Sequence, residues 1–316
     1  MAFKPEKFIE EKIAELKEQV KGKALIACSG GVDSTVAAVL VNRAVGDKLI
    51  SFFVDTGYMR KNEPQQIKEM LQDKGLNLHF IDAREEFYGA LKGIEDPEKK
   101  RKIIGEKFIR IFEREANKVN ADYLVQGTIA PDWIESGGGL RDTIKSHHNV
   151  GGLPKDMKMK LVEPLRDLYK DEVRKVARAL GVPVAERQPF PGPGLAIRIM
   201  GEATPERADI VREACFIVED EIDKAVANKE IERPWQYFAV LLPVRTVGVH
   251  GDVRAYGNTI AVRAVSSLDA MSADYSKMPH EVLDRISIRI TNELKSKVNR
   301  VVYDITNKPP ATVEWE

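Results

Sequence analysis

The chain has 316 residues, which at about 150 residues per domain predicts two domains. Lys plus Arg number 49 and Asp plus Glu number 49, so the formal charge is zero and no basic surface for nucleic acid is indicated. The two cysteines and the short apolar runs argue against a disulfide framework, a structural zinc site and a membrane span. We therefore expect a soluble, cytoplasmic protein that binds neither nucleic acid nor membrane.

The first half of the chain alternates between two kinds of segment. Composition rich in β-branched and aromatic residues, typical of buried strands, occurs at residues 24–28, 49–54, 76–81 and 123–125. Helical spacing of apolar residues occurs at residues 33–44, 64–73, 97–118 and 168–180. This alternation predicts an α/β domain with a doubly wound parallel sheet over residues 1–188. Residues 128–160 interrupt the pattern with a glycine-rich stretch typical of a lid or binding loop.

A proline-rich segment, QPFPGPG at residues 188–194, marks the clearest boundary in the sequence. Its prolines and glycines can continue neither a helix nor a central strand. After it, helical patterns at 205–228 and 279–297 are mixed with strand-like segments at 238–244, 259–265 and 300–305. The order predicts a smaller α+β domain over residues 189–316.

The sequence Ser29-Gly30-Gly31-Val32-Asp33-Ser34 lies between the first predicted strand and the first predicted helix. Its two glycines let the backbone approach an anion, and the helix N-terminus adds partial positive charge. Asp33 could hold a magnesium ion that neutralises phosphates. This is not a Walker A loop, because Val32 stands where that motif has lysine. The alternative is an ordinary tight turn capped by Asp33 and Ser34.

Cys28, directly before this loop, has two interpretations. A cysteine on a strand-to-helix turn can be a nucleophile. However, Cys28 lacks the flanking glycines of a nucleophile elbow, and no His and acid pair follows it convincingly. A small buried residue at the end of a strand is the better interpretation.

The motif SGGVDS resembles the signature of the N-type ATP pyrophosphatases, which cleave ATP between the α and β phosphates and transfer AMP to an acceptor oxygen. The resemblance implies Mg²⁺, ATP as co-substrate and an adenine nucleotide alpha hydrolase-like fold. It implies that ATP is bound by Ser29, Gly30, Gly31, Val32, Asp33, Ser34, Thr35, Val54 and Asp55. Asp33 would be the metal ligand and a catalytic residue, and Lys158 and Lys160 would be catalytic cations of the lid.

Further segments resemble GMP synthetases: KKRKIIGEKF at 99–108, QGTIAPDWIES at 126–136, IKSHHNVGGLP at 144–154, PFPGPGL at 189–195, LPVRTVGVHGD at 242–252 and KPPATVEWE at 308–316. The resemblance to this family covers nearly everything from about residue 20 to Glu316. The resemblance implies a ligase that adenylates XMP and then aminates it with ammonia to give GMP and AMP. It also implies the archaeal arrangement, with a separate glutaminase subunit, and a homodimer formed through the C-terminal domain.

The same resemblance implies an XMP site formed by Arg101, Lys308 and Glu314. Each residue also has a simpler interpretation. Arg101 belongs to a run of cations, Lys99–Lys102, of the kind that usually forms a solvated helix face. Lys308 and Glu314 lie in a segment that could fray, or could dock through Val313 and Trp315.

Two alternative functions remain from the sequence. The loop motif is shared with other N-type adenylating enzymes, such as NAD synthetases and tRNA thiolases. A protein that binds nucleotide without turnover, as a sensor, would also keep the phosphate loop. The complete set of segments favours GMP synthesis over both.

Overall fold

A computed structural model of the chain describes residues 3–131, 159–183, 188–250, 252–267 and 271–316. Its helices are α1 (Pro5–Gln19), α2 (Val32–Val45), α3 (Glu63–Asp73), α4 (Arg84–Ala90), α5 (Pro97–Val119), α6 (Lys170–Ala179), α7 (Pro205–Ala227) and α8 (His280–Glu293). Its strands are β1 (Ala24–Ala27), β2 (Leu49–Asp55), β3 (Asn77–Asp82), β4 (Tyr123–Val125), β5 (Lys160–Val162), β6 (Gln236–His250), β7 (Val253–Ser266), β8 (Asp274–Tyr275) and β9 (Val298–Tyr303). None of the described helices is long and apolar enough to cross a bilayer.

The chain divides into two compact units. The N-terminal unit comprises Met1–Thr56, Asn62–Ala83 and Gly105–Arg187, and the C-terminal unit comprises Gly57–Lys61, Arg84–Ile104 and Gln188–Glu316. The first contains a parallel sheet and the second a mixed one, so the predicted combination of α/β and α+β folds is confirmed. Two short segments from the first half of the sequence belong to the C-terminal unit. The predicted single boundary at residues 188 and 189 does not include this feature.

The sheet of the N-terminal unit has five parallel strands in the order β3-β2-β1-β4-β5. Leu25 of β1 and Phe52 of β2 face α5, where Phe52 and Phe112 make an edge-to-face contact at 6.2 Å. Side chains alternate along a strand, so Ala24 and Ile26 point to the opposite face, and both are also buried. Because both faces of β1 and β2 are covered, these two strands are predominantly apolar, as expected for the centre of a parallel sheet, whereas the edge strand β3 is largely exposed.

The strand order reverses direction next to β1. The chain proceeds from β1 to β2 and β3 on one side and then returns to β4 on the other side of β1. In open α/β sheets, ligands bind beyond the carboxyl ends of the strands at this type of reversal. The segment that follows β1 is the predicted phosphate loop, which the topology therefore puts at the expected binding position.

The C-terminal unit is built around a long hairpin. β6 and β7 pair antiparallel from Gln236 to His250, and β7 also pairs antiparallel with β8 and parallel with β9. Helix α7 packs against β6, and α8 packs against α7 and β9. The sheet thus has helices on its buried face, as in other α+β folds.

Candidate active site

The loop between β1 and α2 is stabilised by hydrogen bonds between its own residues. The Ser34 hydroxyl accepts from the Ser29 amide at 3.3 Å and lies 3.1 Å from the Ser29 hydroxyl. Gly31 caps the helix, and its carbonyl accepts from the Thr35 amide at 3.1 Å and the Thr35 hydroxyl at 2.8 Å. Gly30 has a φ of 78°, a left-handed conformation that favours glycine. The loop is therefore preformed, with Ser29 and Gly31 exposed.

Gly127, just after β4, holds the start of α2 in place on the other side. A Cβ atom at this position would lie 2.9 Å from both the Asp33 carbonyl carbon and the Ser34 amide nitrogen. Any side chain would therefore push the start of the helix away from the end of β4. Gly127 lies in the segment QGTIAPDWIES, and the close approach gives a physical reason for its glycine.

Asp33 has two carboxylate oxygens in different surroundings. Its Oδ2 accepts from Lys170 Nζ at 2.6 Å, whereas its Oδ1 is buried and has no hydrogen-bond partner among the described residues. Lys170 is the first residue of α6 and was not predicted as a site residue. A local signal for it exists, since a cation is unfavourable at a helix N-terminus. That signal does not identify the partner, which lies 137 positions away in the sequence.

The surroundings of Asp33 fit a magnesium ion. Mg²⁺ is commonly held by one or two carboxylates, with substrate phosphates and water completing its coordination. The unpartnered Oδ1 supplies one such ligand next to the loop. Within the described residues, no group of three or more His, Cys, Asp and Glu side chains could hold a metal by itself. A metal at Asp33 would therefore take its further ligands from water and, once nucleotide is bound, from the phosphates.

Burial decides between the two interpretations of Cys28. Its side chain is buried at the end of β1, and this burial raises the pKa of the thiol to about 12. A nucleophilic cysteine needs a lowered pKa and access to substrate. Cys28 has neither, so it is a packing residue.

Val54 and Asp55 end β2, the strand next to β1. Both residues are buried, and the Asp55 carbonyl accepts from the Ala83 amide at 3.0 Å. Since β1 and β2 are parallel neighbours, these residues share the carboxyl edge of the sheet with the loop. The structure thus brings together all nine residues predicted to bind ATP on this edge.

The structure does not bring Lys160 to the loop. Lys160 begins β5 and is in register with Tyr123 of β4, which is itself in register with Ala24, the first residue of β1. It therefore lies at the amino edge of the sheet, and its Nζ lies 6.0 Å from the centroid of the Tyr123 ring. The lid was expected to continue to residue 160, but a strand begins there. Lys158 lies outside the described residues, as do residues 132–157.

In the C-terminal unit, Arg101 contacts the C-terminal segment, which we define as residues 304–316. One Arg101 guanidinium nitrogen donates to the backbone oxygen of Glu316 at 2.6 Å, and another donates to Glu98 at 2.6 Å. Arg101 and Glu316 are 215 positions apart in the sequence. The structure therefore brings Arg101 into contact with the segment that contains Lys308 and Glu314.

Glu314 is engaged by other protein groups. Arg198 donates to both carboxylate oxygens, at 3.0 and 2.8 Å, and Gln236 donates to one of them at 2.8 Å. Burial lowers the pKa of Arg198, but the Glu314 carboxylate outweighs this effect and raises it, so the guanidinium stays charged. The predicted role of Glu314 as a direct acceptor for a purine thus competes with a protein contact.

Lys308 is fixed at its backbone by residue 273. The Lys308 amide donates to the Ala273 carbonyl at 2.7 Å, and the Lys308 carbonyl accepts from the Ala273 amide at 3.0 Å. The side chain is half-buried. Its position is therefore determined by the sheet of the C-terminal unit, not by a fraying terminus.

Three buried cations that no sequence pattern indicated hold the C-terminal segment. Arg263 donates to Asp304 at 2.7 Å and to three backbone carbonyls between residues 306 and 313 at 2.8–2.9 Å. Lys100 donates to Glu316 at 2.5 Å, and Arg198 binds Glu314 as described above. Burial lowers the pKa of Lys100 and raises that of Glu316. Buried cations have no periodic signature, so only their contacts reveal them.

Comparison with known proteins identifies the family. A family model described as GMP synthase C terminal domain matches residues 220–315, and one described as NAD synthase matches residues 3–115. A subunit of the glutamine-hydrolyzing GMP synthase of Thermococcus kodakarensis is 61% identical over 315 residues, which cover 98% of this chain and 99% of that protein. The chain belongs to this family of GMP synthase subunits. The predicted resemblance, the GMP-synthesising function, the ligase class and the use of ATP are thereby confirmed.

The share of a relative's length that the chain covers differs between members of the family. The corresponding subunit of Pyrococcus furiosus is 60% identical, with 98% of this chain and 97% of that protein covered. A glutamine-hydrolyzing GMP synthase of Clostridium tetani is 57% identical, but the chain covers only 61% of its length. Among solved structures, an NMN synthetase from Francisella tularensis is similar at 16% identity and a TM-score of 0.46, covering 73% of this chain and 89% of that chain.

Proposed function

We propose that this chain makes GMP from XMP in two chemical stages. In the first, the C2 oxygen of XMP attacks the α-phosphorus of ATP, so that an O–P bond forms and pyrophosphate leaves. In the second, ammonia adds at C2 and AMP leaves with the oxygen. The preformed loop at the strand-order reversal is the observation that carries this proposal, because it offers backbone amides and a helix N-terminus to phosphates.

The protein would act mainly by positioning and by stabilising charge. In phosphoryl and nucleotidyl transfer, little covalent chemistry is required of side chains. We propose that the Ser29–Ser34 backbone amides and the serine hydroxyls bind the pyrophosphate part of ATP. Val54 and Asp55 would contact its adenosine part. Asp33 would hold Mg²⁺, which would neutralise negative charge on the phosphates when bound.

We propose that the C-terminal unit binds XMP. Lys308 would pair with the nucleotide phosphate, and Arg101 would donate to the phosphate or to the oxygen-rich base. Glu314 would accept from a purine N–H once substrate is present. Support comes from the contact of Arg101 with Glu316, which brings the two sequence regions together in one unit.

A second copy of the chain and a separate glutaminase subunit are the partners that we propose. The archaeal relatives are named as one subunit of a glutamine-hydrolyzing synthase, which indicates a second type of subunit, and a glutaminase would supply ammonia. For the homodimer, support comes from the β6–β7 hairpin, where Val247, Val249 and Tyr256 are 46%, 72% and 65% exposed on one face. Such a face is typical of protein interfaces.

The test is pyrophosphate release by the purified chain with ATP, magnesium, ammonium and XMP. The proposal predicts release that requires XMP, together with equal amounts of GMP and AMP. Release with nicotinic acid adenine dinucleotide in place of XMP would indicate an NAD synthetase. ATP binding without release under either condition would indicate a nucleotide sensor.

A further inference from the structure

The ion pair between Lys170 and Asp33 puts a cation on the carboxylate that is proposed to hold a metal ion. Lys170 Nζ lies 2.6 Å from Asp33 Oδ2, while Asp33 Oδ1 is buried without a hydrogen-bond partner among the described residues. The ammonium group thus occupies one oxygen of a carboxylate whose other oxygen makes no hydrogen bond to the described residues. A divalent cation at Oδ1 would be repelled by the ammonium group beside it.

The position of Lys170 is unfavourable unless an anion lies close by. Lys170 is the first residue of α6, and the partial positive charge of a helix N-terminus disfavours a cation there. Without nucleotide, Asp33 supplies the anion. With nucleotide, the phosphates at Ser29–Ser34 would supply a stronger one within the same region.

The side chain of Lys170 has the exposure and the length that an exchange between these anions requires. It is 46% exposed, and a lysine ammonium group is carried on a flexible four-carbon stem with three donors. Its partner Asp33 is held by the first turn of α2, packed against Gly127. The carboxylate therefore stays in place when the ammonium group moves.

We propose that Lys170 couples metal binding to nucleotide binding. Without nucleotide, Lys170 neutralises Asp33 and opposes a divalent cation at Oδ1. When phosphates bind, Lys170 pairs with them and leaves Asp33 to the metal. Metal and nucleotide then favour each other's binding, by the reciprocity of linked equilibria. This inference rests on the proposed function, because it takes Ser29–Ser34 as the phosphate site.

The test compares Lys170→Met with the unmodified protein, using the full chain in both cases. Methionine keeps an unbranched side chain but removes the charge. Mn²⁺ binding without nucleotide is measured by electron paramagnetic resonance. We expect Lys170→Met to bind Mn²⁺ at least about fivefold more tightly, the lower end of typical coupling between sites. A second substitution, Asp33→Asn, should abolish this gain and so locate the metal.

Lys175→Met is the matched control. Lys175 lies on the same helix and is equally exposed, but its partner is Asp171 at 3.3 Å, on the same helix. This variant should bind Mn²⁺ as the unmodified protein does. Lys170→Gln repeats the test with a polar side chain, should the methionine variant fail to fold.

A second measurement follows the nucleotide. Calorimetry with α,β-methylene-ATP, with and without Mg²⁺, gives the factor by which metal strengthens nucleotide binding. That factor should be smaller in Lys170→Met than in the unmodified protein. Unchanged or weaker Mn²⁺ binding in Lys170→Met without nucleotide would overturn the inference, since a lysine with only a structural or phosphate-binding role gives that result. Failure of the proposed function would appear separately, as absence of XMP-dependent pyrophosphate release from the unmodified protein.

Discussion

Asp33 combines a charge with a position that the fold constrains closely. It lies in the first turn of α2, and the absent side chain of Gly127 allows this turn to approach the end of β4. Its Oδ1 has no protein partner among the described residues. A carboxylate in this setting is suited to hold a metal on phosphates, and loss of its charge should affect the reaction more than the fold.

We therefore expect Asp33→Asn to reduce XMP-dependent pyrophosphate release by a factor of about 100 to 1,000, as for the loss of other groups that stabilise charge in a transition state. Asparagine has the same shape but no negative charge. Thermal melting should stay close to that of the unmodified protein. The measurement is the rate of pyrophosphate release at saturating ATP and XMP.

Asp171→Asn is the control for this substitution, since Asp171 is an exposed carboxylate whose partner, Lys175, lies on the same helix. Its rate should be unchanged. A rate for Asp33→Asn near that of the unmodified protein, with native melting, would remove Asp33 from the mechanism.

For individual residues, the sequence predicts contacts within one motif better than contacts between residues that are far apart in the sequence. Ser29–Ser34 are adjacent in sequence, so their glycines, hydroxyls and carboxylate can be interpreted together. Lys170 becomes visible only when α6 packs against α2. Lys160 shows the reverse case, since its charge suggested a catalytic role that its position at the amino edge does not support.

Among the larger elements, the C-terminal segment (304–316) depends on buried charges for its conformation. Deleting residues 308–316 would remove Glu314 from Arg198 and Glu316 from Lys100. A buried cation that loses its partner typically costs about 3–5 kcal/mol of stability. A truncated chain would therefore lose stability together with any substrate contact. A point substitution at Lys308 separates the two effects.

We expect Lys308→Ala to weaken XMP binding by about 1.5–3 kcal/mol, the usual loss for one charge-assisted hydrogen bond. ATP binding should be unchanged, because the ATP determinants belong to the N-terminal unit. Isothermal titration with each nucleotide measures both affinities. The backbone pairing of Lys308 with Ala273 does not involve its side chain, so the substitution should leave this pairing in place.

An exposed lysine of the same unit, Lys295, provides the control through Lys295→Ala. This variant should bind XMP normally. Equal XMP affinities for Lys308→Ala and the unmodified protein would mean that the XMP site lies elsewhere.

Element boundaries followed closely from sequence patterns where the elements are long and apolar. The predicted strand at 49–54 is Leu49–Asp55, and the predicted helix at 205–228 is Pro205–Ala227. β5 was missed because it has three residues and follows the glycine-rich stretch. A strand of this length is defined by its pairing with β4, not by a pattern of its own.

For the whole molecule, the sequence indicated two folds but not which segments compose them. Gly57–Lys61 and Arg84–Ile104 belong to the C-terminal unit through contacts that no local pattern encodes. One example is the buried Tyr58 hydroxyl, which donates to the Ala203 carbonyl at 2.6 Å. Arg101 lies in the second of these segments. The predicted XMP site therefore depends on the inclusion of this segment in the C-terminal unit.

The nitrogen donor that the chain can use depends on whether it contains a reactive cysteine. Glutamine hydrolysis by a cysteine nucleophile requires a reactive thiolate. Cys28 and Cys215 are the two cysteines of the chain, both are buried, and burial raises the pKa of each thiol. We therefore expect the purified chain to make GMP from ammonium salts but not from glutamine. The rate with ammonium should increase with pH, because free ammonia is the nucleophile and its fraction increases.

The measurement is GMP formation at equal concentrations of the two donors, with the separate glutaminase subunit added in a parallel reaction. Addition of that subunit should make glutamine an effective donor and leave the ammonium rate unchanged. A catalytically inactive glutaminase subunit, with its nucleophilic cysteine replaced by alanine, is the control and should not support glutamine use. Formation of GMP from glutamine by the chain alone, in a reaction without ammonium, would contradict the expectation. One of the two buried thiols would then be a candidate nucleophile.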